Sequence, residues 1–221
     1  MRAAYRPARE WELELVVPFD IKRVLYRDGS ADTRTGVADI QQWVSVGLFE
    51  LFHVSDEFQV GVGCSFPTGA IEPRMEEGDA EESLQFGNGT FDPAARLRYS
   101  IMPNWWGLSF LVAGQLPFYT NRHGYKGAIT GEASVSLRAQ ALDWLSFDVT
   151  ATGTLRGSSY WDGEPERGYY SLLISASPTF MPWEWFYITP LFGYRVASMT
   201  AQGGSLPKLQ FVMSLRVTFF W

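Results

Sequence analysis

Residues 209–221 read LQFVMSLRVTFFW, a stretch in which every second residue from the end is large and apolar. A side-chain repeat of two is that of a β-strand with one apolar face and one polar face. Terminal residues of soluble domains usually fray and tend to be polar, whereas a barrel closed within a bilayer pairs its last strand and puts aromatic residues at the lipid–water boundary. The stretch therefore predicts the closing strand of an outer-membrane β-barrel.

The composition of the chain fits such a barrel better than a helical membrane protein. Aromatic residues make up 16% of the 221 residues and charged residues 19%, yet the mean hydropathy is only −0.08. Strands that alternate lipid-facing apolar residues with polar lumen-facing residues give this middling value. The longest uncharged window, residues 99–121, contains prolines and glycines that exclude a spanning helix.

Nine further alternating segments precede the closing strand, and the connections between them alternate between long and short. Outer-membrane barrels have long external loops, short periplasmic turns and an even number of strands. We therefore predict an all-β fold, a transmembrane antiparallel up-and-down β-barrel of about ten strands with both termini on the periplasmic side. About twelve strands would result if Ile21 to Tyr26 formed an extra hairpin arm instead of extending the first strand. The nine segments lie at about residues 10–19, 41–52, 58–66, 96–101, 106–118, 132–141, 147–152, 170–177 and 185–197.

The domain organisation that follows is simple. Residues 1–8 are predicted to be an N-terminal periplasmic segment, and residues 9–221 to form a single barrel domain in the bacterial outer membrane. The opening residues MRAAYRPAREW contain no apolar core of the kind that marks a signal peptide, so the signal that an outer-membrane protein needs is not visible in this sequence.

Tryptophans gather at one predicted rim of the barrel. Of the nine in the chain, seven fall at short turns or at the ends of the chain on the same side. Tryptophan is enriched at membrane–water interfaces, so membrane lipid is an expected partner. The predicted interface aromatics are Trp11, Trp105, Trp106, Trp144, Trp183, Trp185 and Trp221.

Charged residues also recur on the faces of the strands that point away from lipid. In a narrow lumen such charges must pair or be hydrated, and a barrel of this size is nearer to a filled barrel than to a wide pore. Two interpretations stay open: a salt-bridged plug that holds the barrel together, or a narrow path for anions or polar small molecules. The predicted lumen-lining residues are Glu12, Glu14, Arg96, Arg98, Glu132, Arg138, Asp148, Arg156, Arg195 and Arg216.

Several other classes of function are disfavoured. The net charge of −6 and the lack of a basic cluster argue against nucleic-acid binding. Cys64 is the single cysteine, and the acidic loop at residues 72–82 has no fixed ligand spacing, so we expect no metal site and no cofactor. His53 falls in a predicted periplasmic turn and His123 in a loop without a nominated partner, so we do not expect an enzyme.

Four short motifs give a family resemblance. They are GVADIQQW at residues 36–43, FPTG at 66–69, GNGTFDP at 87–93 and YTNRHGYKGAITGEASVSL at 119–137. In their order and spacing they resemble the outer-membrane transporter family named for the MetA pathway of phenol degradation. The resemblance implies a passive porin for hydrophobic or aromatic compounds, and it carries over no catalytic residue.

The closing strand also resembles the signal that the barrel-assembly machinery reads during insertion, which makes this machinery an expected partner. Phe219 and Trp221 stand at its alternating hydrophobic positions, while Arg216 departs from the glycine that the signal prefers. The leading function is a narrow passive porin or transporter for small molecules, including hydrophobic or aromatic ones. The alternative is a closed structural barrel that anchors or scaffolds a partner protein through its loops or its periplasmic rim.

Overall fold

The structure, a computed structural model, describes residues 2–25, 31–69, 86–122, 124–166, 168–183, 186–200 and 211–219. These residues form β-strands joined by turns and loops. Within them there is no helix of a length and apolarity that could cross a membrane.

The strands are numbered in chain order, and most of them belong to one large sheet. They are β1 (Arg2–Ala8), β2 (Trp11–Val16), β3 (Phe19–Leu25), β4 (Ala31–Val37), β5 (Ile40–Phe49), β6 (Asp56–Phe66), β7 (Asp92–Ile101), β8 (Trp106–Gln115), β9 (Tyr125–Lys126), β10 (Thr130–Leu142), β11 (Leu145–Arg156), β12 (Ser159–Trp161), β13 (Glu164–Glu166), β14 (Tyr169–Trp183), β15 (Phe186–Thr200) and β16 (Phe211–Phe219).

The large sheet has eleven strands in the order β1-β2-β5-β6-β7-β8-β10-β11-β14-β15-β16, and the pairs in it are antiparallel. Cα atoms of the two edge strands, β1 and β16, come within 8 Å of each other, so the sheet curls round on itself. The predicted all-β, antiparallel, up-and-down architecture is confirmed. Short turns join the strands at one end, which we call the short-turn rim, and long connections at the other, the long-loop rim.

The start of the chain differs from the prediction. Residues 1–8, expected to precede the barrel, instead contain β1, which pairs with β2 from Arg2 opposite Val16 to Ala8 opposite Trp11. Arg2 therefore lies at the long-loop rim and not at the short-turn rim, where the N-terminal end is expected. Tyr5 is exposed while the neighbouring Arg6 bonds to Glu12 inside the barrel, and this period of two makes the segment a strand.

The two smaller sheets lie in the long connections. One is the hairpin β3–β4, so the segment that begins at Ile21 forms the extra hairpin arm, one of the two outcomes expected for it. Tyr26, the last residue of that expectation, lies outside the described residues. The other small sheet, β13-β12-β9, joins the connection between β8 and β10 to the connection between β11 and β14.

The polarity of the barrel is the reverse of that in a soluble protein. Glu12 and Glu14 are only 7% and 4% exposed, while Val62 and Leu137 are 62% and 58% exposed. Charged residues are seldom buried in water-soluble folds unless they are paired. A continuous apolar exterior around a polar interior is typical of strands that span a bilayer.

Candidate lumen path

Arg96 of β7 is the centre of a charged cluster on one wall of the lumen. Its Nη1 lies 2.8 Å from Glu14 Oε2, and its Nη2 lies 3.6 Å from Glu12 Oε1. Nη2 also donates a hydrogen bond of 3.0 Å to Ser45 Oγ, and the guanidinium carbon lies 4.6 Å from the centroid of the Trp43 ring. We call these five residues, together with Arg6, the Arg96 cluster.

The cluster forms because small residues lie between its members. Ser45, Gly61 and Arg96 stand in one row across β5, β6 and β7, since Ser45 pairs with Gly61 and Gly61 with Arg96. A Cβ atom on Gly61 would lie 2.6 Å from Ser45 Oγ and 2.9 Å from Arg96 Cγ. Gly63 makes room for Trp43 in the same way, because its Cβ would lie 2.6 Å from the ring. The glycines of β6 therefore let Arg96 reach across that strand towards β2.

Arg6 of β1 completes the cluster and is not among the lumen-lining residues predicted from the sequence. Its Nε and Nη2 lie 3.0 and 2.7 Å from Glu12 Oε2. The Arg6 side chain is 51% exposed, whereas that of Glu12 is 8% exposed, so Arg6 covers Glu12 on the solvent-accessible side of the cluster. The alternation of Tyr5 and Arg6 could have revealed it, had residues 1–8 been taken as a strand.

Two cavities lie along the lumen side of β7, β8 and β10, within the described part of the chain. The upper cavity, nearer the long-loop rim, has a volume of about 260 Å³. The middle cavity has a volume of about 220 Å³. The upper cavity is lined by Gln41, Trp43, Ala94, Ala113, Gly114, Gln115, Thr130, Gly131, Glu132 and Thr154. The middle cavity is lined by Glu14, Gln59, Arg96, Arg98, Ser109, Leu111, Ser134 and Ser136.

Glu132 carries the charge of the upper cavity. It pairs across the sheet with Ala113 of β8 and Thr154 of β11, which are both small. Arg96 lies on the far side of Ala113 in the same row, but its guanidinium turns the other way, towards Glu12 and Glu14. Among the described residues no salt bridge to Glu132 is formed. The carboxylate therefore faces the open cavity.

Towards the short-turn rim the lumen contains a second polar layer. Arg138 of β10 stands opposite Asp148 of β11 and donates a hydrogen bond of 3.1 Å from Nη2 to Ser146 Oγ. One step higher, the hydroxyls of Ser136 and Thr150 are 2.7 Å apart. This layer pairs its groups across the neighbouring strands β10 and β11.

The remaining predicted lumen residues are spread along the barrel. Arg98 lines the middle cavity. Arg156 stands at the loop end of β11, where its Nη2 lies 3.3 Å from the hydroxyl oxygen of Tyr125. Arg195 of β15 has a buried Nε without a hydrogen-bond partner among the described atoms. Arg216 pairs in register with Thr189, and its side chain lies outside the described residues. Of the predicted set, Glu12, Glu14 and Arg96 come together in the Arg96 cluster, and Arg138 and Asp148 stand opposite each other in the second layer.

The motifs that carry the family resemblance meet at the long-loop rim. Asp39 accepts hydrogen bonds from the backbone N–H groups of Gly69 and Asn88, at 2.9 and 2.8 Å. Asp92 accepts bonds from Asn88 Nδ2 and Thr90 Oγ1, at 2.9 and 2.6 Å. Burial raises the pKa of Asp39, and the nearby Asp92 carboxylate adds to this, while the backbone hydrogen bonds act to lower it. The network ties the segment just before β5 to the connection between β6 and β7 at the mouth of the barrel.

A buried aromatic pair extends this mouth. Tyr125 and Trp161, 3% and 4% exposed, pack against each other with their ring centroids 4.8 Å apart and their planes tilted by 48°. Asn121 links the pair to the network, because its Oδ1 accepts the Tyr125 N–H and its Nδ2 donates to the backbone carbonyl of Asn88. A Cβ atom on Gly124, whose φ is +78°, would collide with Asp162, so this turn requires glycine.

The other predicted residues lie at the rims. Five of the predicted interface tryptophans are exposed at the short-turn rim, and their contact with a membrane stays a prediction. The Nδ1 of His53 contacts the N–H and hydroxyl of Ser55 in the turn between β5 and β6. The five exposed tryptophans at this rim are Trp11, Trp105, Trp106, Trp144 and Trp183. His123, Trp185 and Trp221 lie outside the described residues, and of Phe219 only the backbone is described, at the end of β16 opposite Phe186.

Comparison with known proteins adds a likeness of fold. No protein-family model and no curated protein matches the chain. Among solved structures, the chain is similar to the crystal structure of the COG4313 outer membrane channel from Pseudomonas putida F1, with a TM-score of 0.73 and 16% sequence identity, over 99% of this chain and 80% of that chain. The chain thus has the β-barrel fold of an outer membrane channel.

Proposed function

We propose that this protein is a narrow passive channel for small molecules in the bacterial outer membrane. The observation that carries the proposal is the position of the two cavities, one above the other along β7, β8 and β10. The Arg96 cluster borders this path, because Glu14 and Arg96 line the middle cavity and Trp43 lines the upper one, so the charged plug forms one side of the open path. The two interpretations of the lumen charges, a salt-bridged plug and a narrow path, thus each describe one part of the same interior.

The location in the outer membrane is supported by the surface of the barrel. Large apolar side chains cover its outer face, and five tryptophans mark one rim. Exposed apolar surface of this extent is unfavourable in water and favourable in lipid. The likeness to an outer membrane channel and the motif resemblance to the MetA-pathway family support the same location, with the short-turn rim on the periplasmic side.

The size and lining of the cavities set what can pass. At the volume that water occupies in the liquid, each cavity would hold roughly seven to nine water molecules. A solute of this size would pass Glu132 first and then the serine hydroxyls and Arg98 of the middle cavity. The path therefore suits single small molecules and excludes folded chains or oligosaccharides.

Single-channel conductance in a planar bilayer tests the proposal. Ser134 lines the middle cavity, while its neighbour Ala133 points to the exterior. We expect Ser134→Trp to lower the conductance by more than half, because an indole fills most of the cavity, and Ala133→Trp to leave it unchanged. A folded wild-type protein that does not conduct would refute the channel. An equal effect of the two substitutions would place the path elsewhere.

A closed barrel that anchors a partner protein is the second candidate, and one feature of the short-turn rim favours it. Phe52 and Val54, in the turn between β5 and β6, are 85% and 81% exposed. If anchoring is the function, Phe52→Ser should abolish co-purification of a specific partner from outer-membrane extracts while the barrel stays folded. Interaction with the assembly machinery through β16 is proposed for either candidate, with Phe219→Ser expected to reduce insertion.

A further inference from the structure

Two charged side chains of the lumen have no charged partner among the described residues. Glu132 of β10 lines the upper cavity and makes no salt bridge or hydrogen bond there. Arg195 of β15 pairs in register with Leu173, an inward position of β14, and it too makes no salt bridge or hydrogen bond. Charges in a narrow lumen are paired or hydrated, so these two can exchange their water for a charged solute.

The wall around Arg195 also contains buried polar atoms that lack a hydrogen-bond partner. They are Nε of Arg195 and Oγ of Ser198, and neither has a partner among the described atoms. Because of a bulge, the two residues stand only two paired positions apart, since Leu173 pairs with Arg195 and Ser171 with Ser198. Buried polar groups in native folds are nearly always hydrogen-bonded. A guanidinium and a hydroxyl with bonds to give indicate an acceptor, and a carboxylate fits the guanidinium geometry.

The tilt of the strands brings the two charges to a similar depth. The upper cavity extends from Gln41 on β5 to Thr154 on β11. The register row of Thr154 meets β5 at Ser45, four residues nearer the short-turn rim than Gln41, so a line of constant depth descends four residues against the register over these five strand-to-strand steps. Because strands in a closed barrel are staggered evenly, the line descends about two more residues between β11 and β15. The row of Thr154 meets β15 at Ser198, and two paired positions below Ser198 stands Arg195.

The wall between the two charges is uncharged and leaves the space between them open. Three strand-to-strand steps separate β10 from β15, which is about 14 Å along the curved wall at the usual spacing of neighbouring strands. Glu132 and Arg195 both have long side chains that extend inwards, so the gap between their charged ends has the length of a small solute. The inward positions between them are Thr152, Thr154, Ser171 and Leu173.

We propose that Glu132 and Arg195 form a binding site for small zwitterionic solutes in the lumen, in which Glu132 holds an ammonium group and Arg195, with Ser198, holds a carboxylate. The inference rests on the proposed channel function and names a solute class for it. A zwitterion gains charge-assisted hydrogen bonds at both of its ends. An ion of one sign gains them at one wall only, and an uncharged solute gains none, so the site favours the zwitterion over both.

Swelling of liposomes that contain the purified protein tests the site. The probes are γ-aminobutyrate, a zwitterion at neutral pH, and its uncharged isomer γ-hydroxybutyramide, which has the same atoms and a similar length. At equal concentration we expect the wild type to admit γ-aminobutyrate about threefold faster, a factor within the range of one hydrated ion pair. Folding of each protein is checked by its migration on gels run without heating.

Charge substitutions show whether the two residues cause this preference. We expect Glu132→Gln and Arg195→Gln each to remove it. The exchange variant, Glu132→Arg combined with Arg195→Glu, should keep it, because a zwitterion can bind the exchanged pair in the reverse orientation. The matched control is Arg9→Gln combined with Glu50→Gln. These two residues pair with each other at 3.1 Å at the short-turn rim, so their loss should leave the preference unchanged.

The outcomes separate the binding site from the channel itself. Equal entry of the two isomers into wild-type liposomes would overturn the zwitterion site and leave the channel standing. No entry of either isomer through folded protein would refute both proposals. A preference that survives in both single variants would show that Glu132 and Arg195 do not hold the solute. A folded exchange variant without the preference would also overturn the site.

The reversal potential in a salt gradient gives an independent readout of the same two charges. Arg195→Gln should shift it towards cation preference, the direction opposite to that expected for Glu132→Gln, because each substitution removes one of two unpaired charges at a similar depth. A potential that does not change in Arg195→Gln would place this guanidinium outside the path and overturn the site.

Discussion

Replacing Arg96 by methionine should destabilise the barrel more than any other single change to the lumen charges. The side chains of Glu12 and Glu14 are 8% and 3% exposed, and both lie against the Arg96 guanidinium. Removing one partner of a buried ion pair typically costs 3–5 kcal/mol, because the remaining charge is buried without compensation. Arg6 still bonds to Glu12, so Glu14 bears most of the effect and we expect the lower end, about 3 kcal/mol.

The assay is urea unfolding of the refolded protein in detergent micelles, with the folded fraction read from its altered migration on gels run without heating. Adding Glu14→Gln to Arg96→Met should recover most of the loss, since it removes the buried charge that the Arg96 guanidinium compensates in the wild type, and the double-mutant cycle gives the coupling between the two residues. A cost for Arg96→Met below about 1 kcal/mol, the range of exposed ion pairs, would refute the reasoning and indicate a hydrated cluster.

Three further changes test other parts of the interior and the mouth. Gly61→Val should separate Arg96 from Glu12, because the new side chain occupies the space between Ser45 and Arg96; a lowered urea midpoint checks this, and an unchanged midpoint would contradict it. Glu132→Gln should shift the reversal potential in a salt gradient towards anion preference, since it removes the charge of the upper cavity; an unchanged potential would exclude Glu132 from the ion path. Burial raises the pKa of Asp39 above its ordinary 3.8, so the folded mouth binds this proton more tightly than the unfolded chain does. The stability that this proton contributes is complete below 3.8 and is lost as the pH rises through the raised pKa. We therefore expect the protection of the Gly69 and Asn88 amides from hydrogen exchange, corrected for intrinsic rates, to fall more steeply with rising pH in the wild type than in Asp39→Asn. The same pH dependence in both proteins would contradict this linkage.

The strands could be predicted from the sequence because lipid imposes a strict period of two on one face. The run from Ala133 to Ala141 shows this most clearly and lies within β10. β1 is harder to recognise because its outward positions include Tyr5 and Pro7, which give a weak apolar signal beside the arginines. The strand becomes recognisable only through its pairing with β2 and the contact between Arg6 and Glu12.

The sequence predicts which charged residues face the interior of the barrel, but not which of them form pairs with one another. The alternation identifies Arg96 as inward-facing, yet its choice of Glu14 over Glu132 depends on the small residues Gly61 and Ser45 in its row. Pairing across several strands is a property of register, which local sequence does not contain.

Cysteine accessibility along β10 in the membrane-inserted protein tests the central claim, that water reaches the wall formed by β7, β8 and β10. The substitutions are Ala133→Cys, Ser134→Cys, Val135→Cys and Ser136→Cys, each combined with Cys64→Ala and treated with a small charged thiol reagent. The account predicts that positions 134 and 136 react and that positions 133 and 135 do not. Reaction at 133 and 135 with protection at 134 and 136 would show that the polar wall does not face an aqueous path, and would contradict the account.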